Sequence, residues 1–208
     1  MFMQNAKAFH AAEKSAYALH GLTVTPDFGA EGMLAASLVE TSDGWKPAGT
    51  LGRGARVQTW DGGLCAVTQV ARRHLWPAAG AELVHVPGGV LDSCSDLWLM
   101  PGQAVLIAHR VVEEVLEAAA ALVPARDLAG FRGISLRPLA RPVELISLSF
   151  ATTEVVYVNS GAMIYCPSAA HPAAPSDYFP RLDRERAKAM LALIGDGGLS
   201  TADLRCAA

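Results

Sequence analysis

Short runs of apolar and β-branched residues, punctuated by Gly and Pro, occupy most of the chain between residue 34 and about residue 167. Runs rich in Val, Leu, Ile, Thr and Tyr cover residues 34–41, 55–60, 63–74, 82–87, 105–108, 143–149 and 154–159, and such runs bounded by turn residues predict strands. Their spacing predicts an all-β architecture rather than βαβ units. Asp61-Gly62, set between two of the runs, predicts a hairpin, because Gly adopts positive φ without a Cβ penalty. Residues 112–122 break the pattern: Glu113, Glu114 and Glu117 among Val, Leu and Ala predict a helix inside the β body.

Two further helices are predicted outside that body. Ala6, Phe9, Ala12, Ala16 and Leu19 recur at three- and four-residue spacings over residues 5–20, and the Pro26-Asp27 pair ends that segment. Residues 183–194 place Ala187, Met190, Leu191 and Ile194 on one face, with Gly195-Asp196-Gly197-Gly198 as the stop. An Ala/Pro-rich stretch up to Pro175 reads as a linker. The organisation expected is a helical segment over residues 1–25, a β domain over 26–167, and a linker with a terminal helix over 168–208.

Composition narrows the function classes. The chain has 208 residues, 51% of them apolar and 18% charged, which is globular rather than disordered and long enough for one sizeable core. A net charge of −3 gives no footprint for nucleic acid. No apolar run approaches the roughly 18–20 residues of a spanning helix, and Met1-Phe2-Met3-Gln4 does not open a secretory signal. The expectation is a cytoplasmic protein that does not engage a membrane; export without a leader would leave no mark in the sequence. Cys65, Cys94, Cys166 and Cys206 lie far apart with no CxxC pair, so they read as free thiols rather than a zinc site or disulfide framework. His10, His20, His74, His85, His109 and His171 show no ligand spacing, and no cofactor or metal is implied. Asp92, Cys94 and Asp96 read as turn residues that cap backbone N–H groups. Gly52-Arg53-Gly54 lacks the Lys-Ser/Thr and the helix of a phosphate loop. Trp45 and Trp98 read as core or rim aromatics, while Trp60 and Trp76 stand beside turns, where an exposed ring could anchor a partner.

Five segments share an order with a known family. Gly32-Met33-Leu34-Ala35-Ala36-Ser37-Leu38-Val39 is followed by Leu51-Gly52-Arg53-Gly54-Ala55-Arg56-Val57-Gln58-Thr59-Trp60-Asp61-Gly62-Gly63. Next come Leu83-Val84-His85-Val86-Pro87-Gly88-Gly89 and Ser95-Asp96-Leu97-Trp98-Leu99-Met100-Pro101-Gly102-Gln103-Ala104-Val105-Leu106. Last is Glu144–Gly161, containing Phe150-Ala151-Thr152-Thr153-Glu154 and Val158-Asn159-Ser160-Gly161. Together they resemble the bacterial branch of the Hint domains, the hedgehog/intein self-processing modules. The resemblance implies a Hint-like horseshoe of short twisted strands, mainly β, with small helices at either end.

It also implies a chemistry. In active members a Cys or Ser attacks the carbonyl before it and converts a peptide bond into a (thio)ester. That requires the nucleophile, a histidine to carry protons and donors for the oxyanion. Carried over position by position, the nucleophile falls on Gly32, the histidine of the "SPqH" block on Gln103, and the later histidine on Thr153. None of the three can perform the family role, and Ala55 replaces the acid of the "pGD" turn. Neither Ser37 nor Cys65 stands where it could form a five-membered intermediate with the upstream carbonyl. The expectation is a catalytically retired Hint domain kept as a structural or protein-binding module, its protein partner unidentified and an oligomer compatible with the sequence. The alternatives are an active self-processing domain with a displaced nucleophile, and a small structural component of a phage-like or secreted particle.

Overall fold

The computed structural model describes residues 31–170 and 178–195. The helix expected over residues 5–20 lies outside them. Fourteen strands run β1 (Met33–Leu34), β2 (Leu38–Thr41), β3 (Gly44–Pro47), β4 (Arg56–Thr59), β5 (Gly63–Ala66), β6 (Gln69–Leu75), β7 (Glu82–Val86), β8 (Leu97–Leu99), β9 (Ala104–Ile107), β10 (Ala121–Pro124), β11 (Ser135–Pro138), β12 (Val143–Ser149), β13 (Glu154–Val158) and β14 (Ala162–Cys166). Two α-helices accompany them among the described residues, α1 (Arg110–Leu116) and α2 (Arg184–Ile194). The named strands pair antiparallel in two sheets, one in the order β11-β7-β8-β1-β12-β6 and the other β10-β9-β14-β13-β2-β4-β5, with β3 on β2.

Two runs that read as single strands are each divided between the sheets. Residues 34–41 turn at Ala35-Ala36-Ser37, where the Ser37 N–H donates to the Leu34 carbonyl at 2.9 Å, so β1 joins the first sheet and β2 the second. Residues 63–74 divide at Val67-Thr68 into β5 and β6, again in different sheets. Each corner thus lets one apolar run serve both layers.

Residues 112–122 are corrected by the structure. Helix α1 ends at Glu117, which takes the left-handed conformation (φ 52°), and residues 121–124 form strand β10. The physical reason is two-sided burial. Leu122, Leu106, Ala104, Met163 and Tyr165 face one apolar cluster, while Ala121, Val123, Val105, Ile107, Ile164 and Cys166 face the main core. Strands covered on both faces carry no polar alternation and read like helix interior. Residues 125–128 follow as a single 3-10 turn.

The main core draws Val39, Val57 and Val156 from one sheet and Met33, Leu99, Ile146 and Leu148 from the other. Each fully buried side chain of this kind contributes about 1.5–3 kcal/mol. Ala187, Met190, Leu191 and Ile194 of α2 close that core. The Asp183 carboxylate caps α2 by accepting from the Arg186 N–H at 2.9 Å. The stretch expected to be a linker is tied down where it is described: Ala169 N–H donates to the Phe150 carbonyl at 2.8 Å. Pro180–Leu182 bonds on both sides of Leu122 in β10, at 2.9 Å each.

The Thr59–Gly63 hairpin forms, but the positive φ falls on Gly63 (65°) rather than Gly62. At Gly62 a Cβ would meet side-chain ends instead, the Cys65 Sγ at 2.8 Å and the Glu154 carboxylate at 2.9 Å, which would have to shift to admit it. Trp60 packs on Phe179 with ring centroids 5.2 Å apart, and Trp98 on His85 at 4.5 Å. Trp76 alone of the two turn tryptophans stands open, 65% exposed. Asp96 behaves as a turn residue: its carboxylate accepts from the Gly88 N–H at 3.0 Å and lies 2.9 Å from His85 Nε2. The His85 imidazole first, and then the Gly88 N–H, hold the Asp96 carboxyl below its usual range.

Asn159 joins three parts of the fold. Its side-chain oxygen accepts from the Leu38 N–H at 2.8 Å and its Nδ2 donates to the Asp96 carbonyl at 3.1 Å. Its own N–H bonds the Leu38 carbonyl (2.8 Å) and its carbonyl accepts from the Cys94 N–H (2.7 Å). Asn159→Ala strips partners from two backbone groups, each orphaned group costing about 1–3 kcal/mol. The expected result in urea titration is a loss of about 2–4 kcal/mol, and a change within error would show that water replaces the carboxamide.

Candidate active site

Gly32 stands at the entrance to β1, in the first sheet, with φ +143°. Antiparallel pairing of Met33 with Ile146 and with Leu99 fixes its height between β12 and β8. The Gly32 carbonyl accepts from the Met100 N–H at 2.8 Å. The Gly32 N–H donates to Gln103 Oε1 at 2.8 Å, within the buried interior.

Gln103 sits just before β9, at the start of a strand in the second sheet. Its Nε2 donates to the Ala104 carbonyl (3.0 Å) and to the Tyr165 carbonyl of β14 (2.8 Å). The amide orientation follows from its partners: the oxygen faces an N–H, and the nitrogen faces two carbonyls. Gln103 therefore binds the amide nitrogen of the candidate junction, and its side chain cannot exchange a proton near neutral pH. Thr153, the third expected position, precedes β13 and makes no hydrogen bond to Gly32 or Gln103. The structure thus brings Gly32 and Gln103 together and leaves Thr153 out of their network.

On the upstream side of the same peptide, the Glu31 carbonyl accepts from Ser147 Oγ at 2.9 Å and from the Arg73 guanidinium at 3.1 Å. Two donors converging on one carbonyl oxygen have the form of an oxyanion cradle. Neither residue stood out in the sequence. Ser147 lies in an apolar strand and Arg73 in an arginine pair with no motif around it. The β1–β12 and β12–β6 registers, which align them, are long-range pairings.

Among the described residues, Gly32 itself offers no side chain to attack the Glu31 carbonyl. An ideal Cβ on Gly32 would lie 3.0 Å from Ser147 Oγ and 3.2 Å from the Ile146 carbonyl oxygen. A side chain there would press on Ser147 and on the Ile146 carbonyl, in a φ range that L-residues rarely adopt. The Ser147 hydroxyl directs its proton at the carbonyl oxygen, the pose of an electrophile stabiliser. Attack would require a lone pair on the carbonyl carbon and a base to take the proton. No described histidine hydrogen-bonds to the Glu31–Gly32 peptide: His85 faces Asp96, and His109 caps α1 by accepting from the Val111 N–H. Cys65 points its thiol at the Gly62 carbonyl (3.4 Å) on β5. The Cys166 thiol is fully buried, and desolvation first, then the Glu31 and Glu154 carboxylates, push it far above the ordinary thiol range. That holds it as an inert thiol. Among the described residues no group of three His, Cys, Asp or Glu is placed to hold a metal ion.

A Hint domain family model matches residues 32–163, beginning at Gly32 itself. The chain belongs to the Hint domain family. Among solved structures this Hint domain is similar to the bacterial intein-like domain from Clostridium thermocellum, at 12% identity with a TM-score of 0.49, covering 65% of this chain and 99% of that one. It is also similar to a splice-inactive variant of the AceL NrdHF class 3 split intein, at 15% identity and a TM-score of 0.46, covering 67% and 99%. A third likeness is to the gp41-1 intein, at 12% identity and a TM-score of 0.42, covering 66% and 99%. No curated protein matches the sequence.

Two tests follow from the geometry of this Hint domain. Gly32→Cys is expected to form no thioester and to lower stability by about 1–3 kcal/mol, read by intact mass with thiol and by thermal melting; fragments with thiol would mean that the strand yields. The second test concerns Glu31, whose carboxyl is raised above its ordinary pKa of 4.5 by burial, with Arg181 opposing. A carboxyl raised in the folded state supports folding fully below its unfolded pKa and loses that support as pH rises through the folded pKa. Glu31→Gln should therefore be more stable than the parent at pH 7, with the advantage fading as pH falls towards about 4.5 and absent below it. A gain that is constant with pH would detach it from ionisation.

Proposed function

We propose that this Hint domain is catalytically retired and serves as a folded structural or protein-binding module, with its working body over residues 26–167. The observation that carries the reading is the backbone of Gly32 itself, whose φ of +143° disfavours any side chain and whose Cβ would also press on Ser147 Oγ at 3.0 Å and the Ile146 carbonyl at 3.2 Å. Gln103 in place of a proton-carrying histidine supports it, since the junction nitrogen is held at 2.8 Å by a group that cannot protonate it as it leaves. What remains is the half of the site that grips a peptide: a cradle for the Glu31 carbonyl and a lock on the Gly32 amide.

Self-cleavage from a displaced nucleophile is the rival reading, and Ser147, 2.9 Å from the Glu31 carbonyl oxygen, is the residue it would use. Among the described residues no histidine bonds to Ser147 to take its proton or to the Gly32 nitrogen to protonate it. No helix among the described residues is long and apolar enough to cross a membrane.

Intact mass of the purified chain after long incubation with dithiothreitol or hydroxylamine at neutral pH separates the readings. The expected outcome is one unchanged mass in the parent and in Ser147→Ala. Fragments that split at Glu31–Gly32 in the parent and vanish in Ser147→Ala would overturn the proposal.

A further inference from the structure

A groove of about 710 Å³ lies between the 125–128 turn, strand β11 and the entry to α2. That volume falls within the range of about 300–1,000 Å³ typical of ligand sites. Arg126, Arg181 and Arg184 line it together with Asp127 and Asp183. Three arginines against two aspartates give this lining a positive balance in a chain whose net charge is −3.

The two carboxylates in the lining are already engaged. Asp127 lies 3.9 Å from the Arg126 guanidinium. Asp183 accepts from the Arg186 N–H at the start of α2 and lies 3.8 Å from the Arg186 side chain. The guanidinium of Arg181 lies 5.5 Å over the Tyr165 ring, which fixes where its charge is presented. Arg184, exposed at the first turn of α2, faces the same groove. Arg181 also acts on the Glu31 carboxylate, so the positive charge left in the groove rests chiefly on Arg184, a forked donor suited to carboxylates. An apolar contact stands beside it, since Leu136 of β11 lines the groove and is 39% exposed.

We propose that this groove docks an acidic peptide segment of a protein partner, with carboxylates on Arg181 and Arg184 and an aliphatic side chain against Leu136. The proposal rests on the binding-module reading and gives it a partner class. The apolar contact favours a peptide over a nucleic acid: Leu136 stands beside the arginines and offers nothing to a phosphate backbone. A peptide can space its carboxylates and place an apolar residue between them. Arginine is also among the residues that dominate protein–protein contacts.

Panning the full chain against a displayed library of random peptides, then titrating the enriched peptides by fluorescence anisotropy, tests the idea. The expected pool is rich in Asp and Glu flanking Leu, Ile or Val. Its affinity should fall with added salt and drop about tenfold or more in Arg184→Glu and in Arg181→Glu. Arg184→Gln, which removes the charge with less disturbance, should fall in the same direction while its unfolding midpoint stays that of the parent. A pool without acidic bias, the absence of any enriched peptide, or undiminished binding by the charge-altered proteins would each overturn the proposal. So would a thymidine oligonucleotide that displaces the peptide at equal concentration. The intact-mass result stands apart: a chain that cleaves itself yet binds overturns the retired reading alone, and an intact chain that binds nothing overturns the groove alone.

Discussion

The Gln103 carboxamide is where the two sheets and the entrance of the Hint domain meet. Its oxygen holds the Gly32 N–H leading into β1, and its nitrogen holds the Tyr165 carbonyl in β14 and the Ala104 carbonyl in its own strand. Three charge-neutral hydrogen bonds each contribute about 1 kcal/mol net, but in a buried site their loss would strand three backbone groups, a larger penalty than the bonds themselves suggest. An imidazole at this position could reach the same amide nitrogen and also carry a proton. Glutamine keeps the architectural half of that role. On the retired reading proposed above, such an exchange would remove the chemistry and leave the shape.

The sheet arrangement around this point depends on chain corners more than on strand length. Strand β1 has only two residues, yet it lies between β8 and β12 and sets the register of both. Strand β12 is covered on both faces: Leu145 packs with Leu83 and Met100, while Ile146 and Leu148 enter the main core. Ser147 shares the Leu145 face. A one-residue slip of β12 would exchange the faces and move Ser147 away from the Glu31 carbonyl. The geometry of the cradle is therefore a consequence of packing several residues away.

Much of the architecture was legible in the residues. The β2, β4, β7, β9, β12 and β13 runs announced themselves by composition and turn residues, and α2 by its capped amphipathic face. What stayed hidden has physical causes. Strands β10 and β14 are apolar on both faces, so period two vanishes. Strand β8 has three residues, and β11 is exposed and ends in proline, so neither yields a pattern to detect. Gly32 and Gln103 were found through motif order, and the structure joins them by a hydrogen bond. Ser147 and Arg73 were invisible because only strand pairing brings them to the Glu31 carbonyl. The crowding at Gly32 was equally unreadable, since the atoms that fill the space come from residues more than a hundred positions away.

The anchoring of Glu31 makes the entrance of the domain resistant to tension. A pull on the chain upstream of residue 31 first meets the Ser147 and Arg73 bonds to a carbonyl and then an interior strand bonded on both sides. In antiparallel pairing such bonds lie perpendicular to the strand and are loaded together in shear, rather than opened one after another as at a frayed edge. Whatever is joined upstream of Glu31 is therefore tethered first through two side-chain bonds and then through an interior strand, not through a frayed edge.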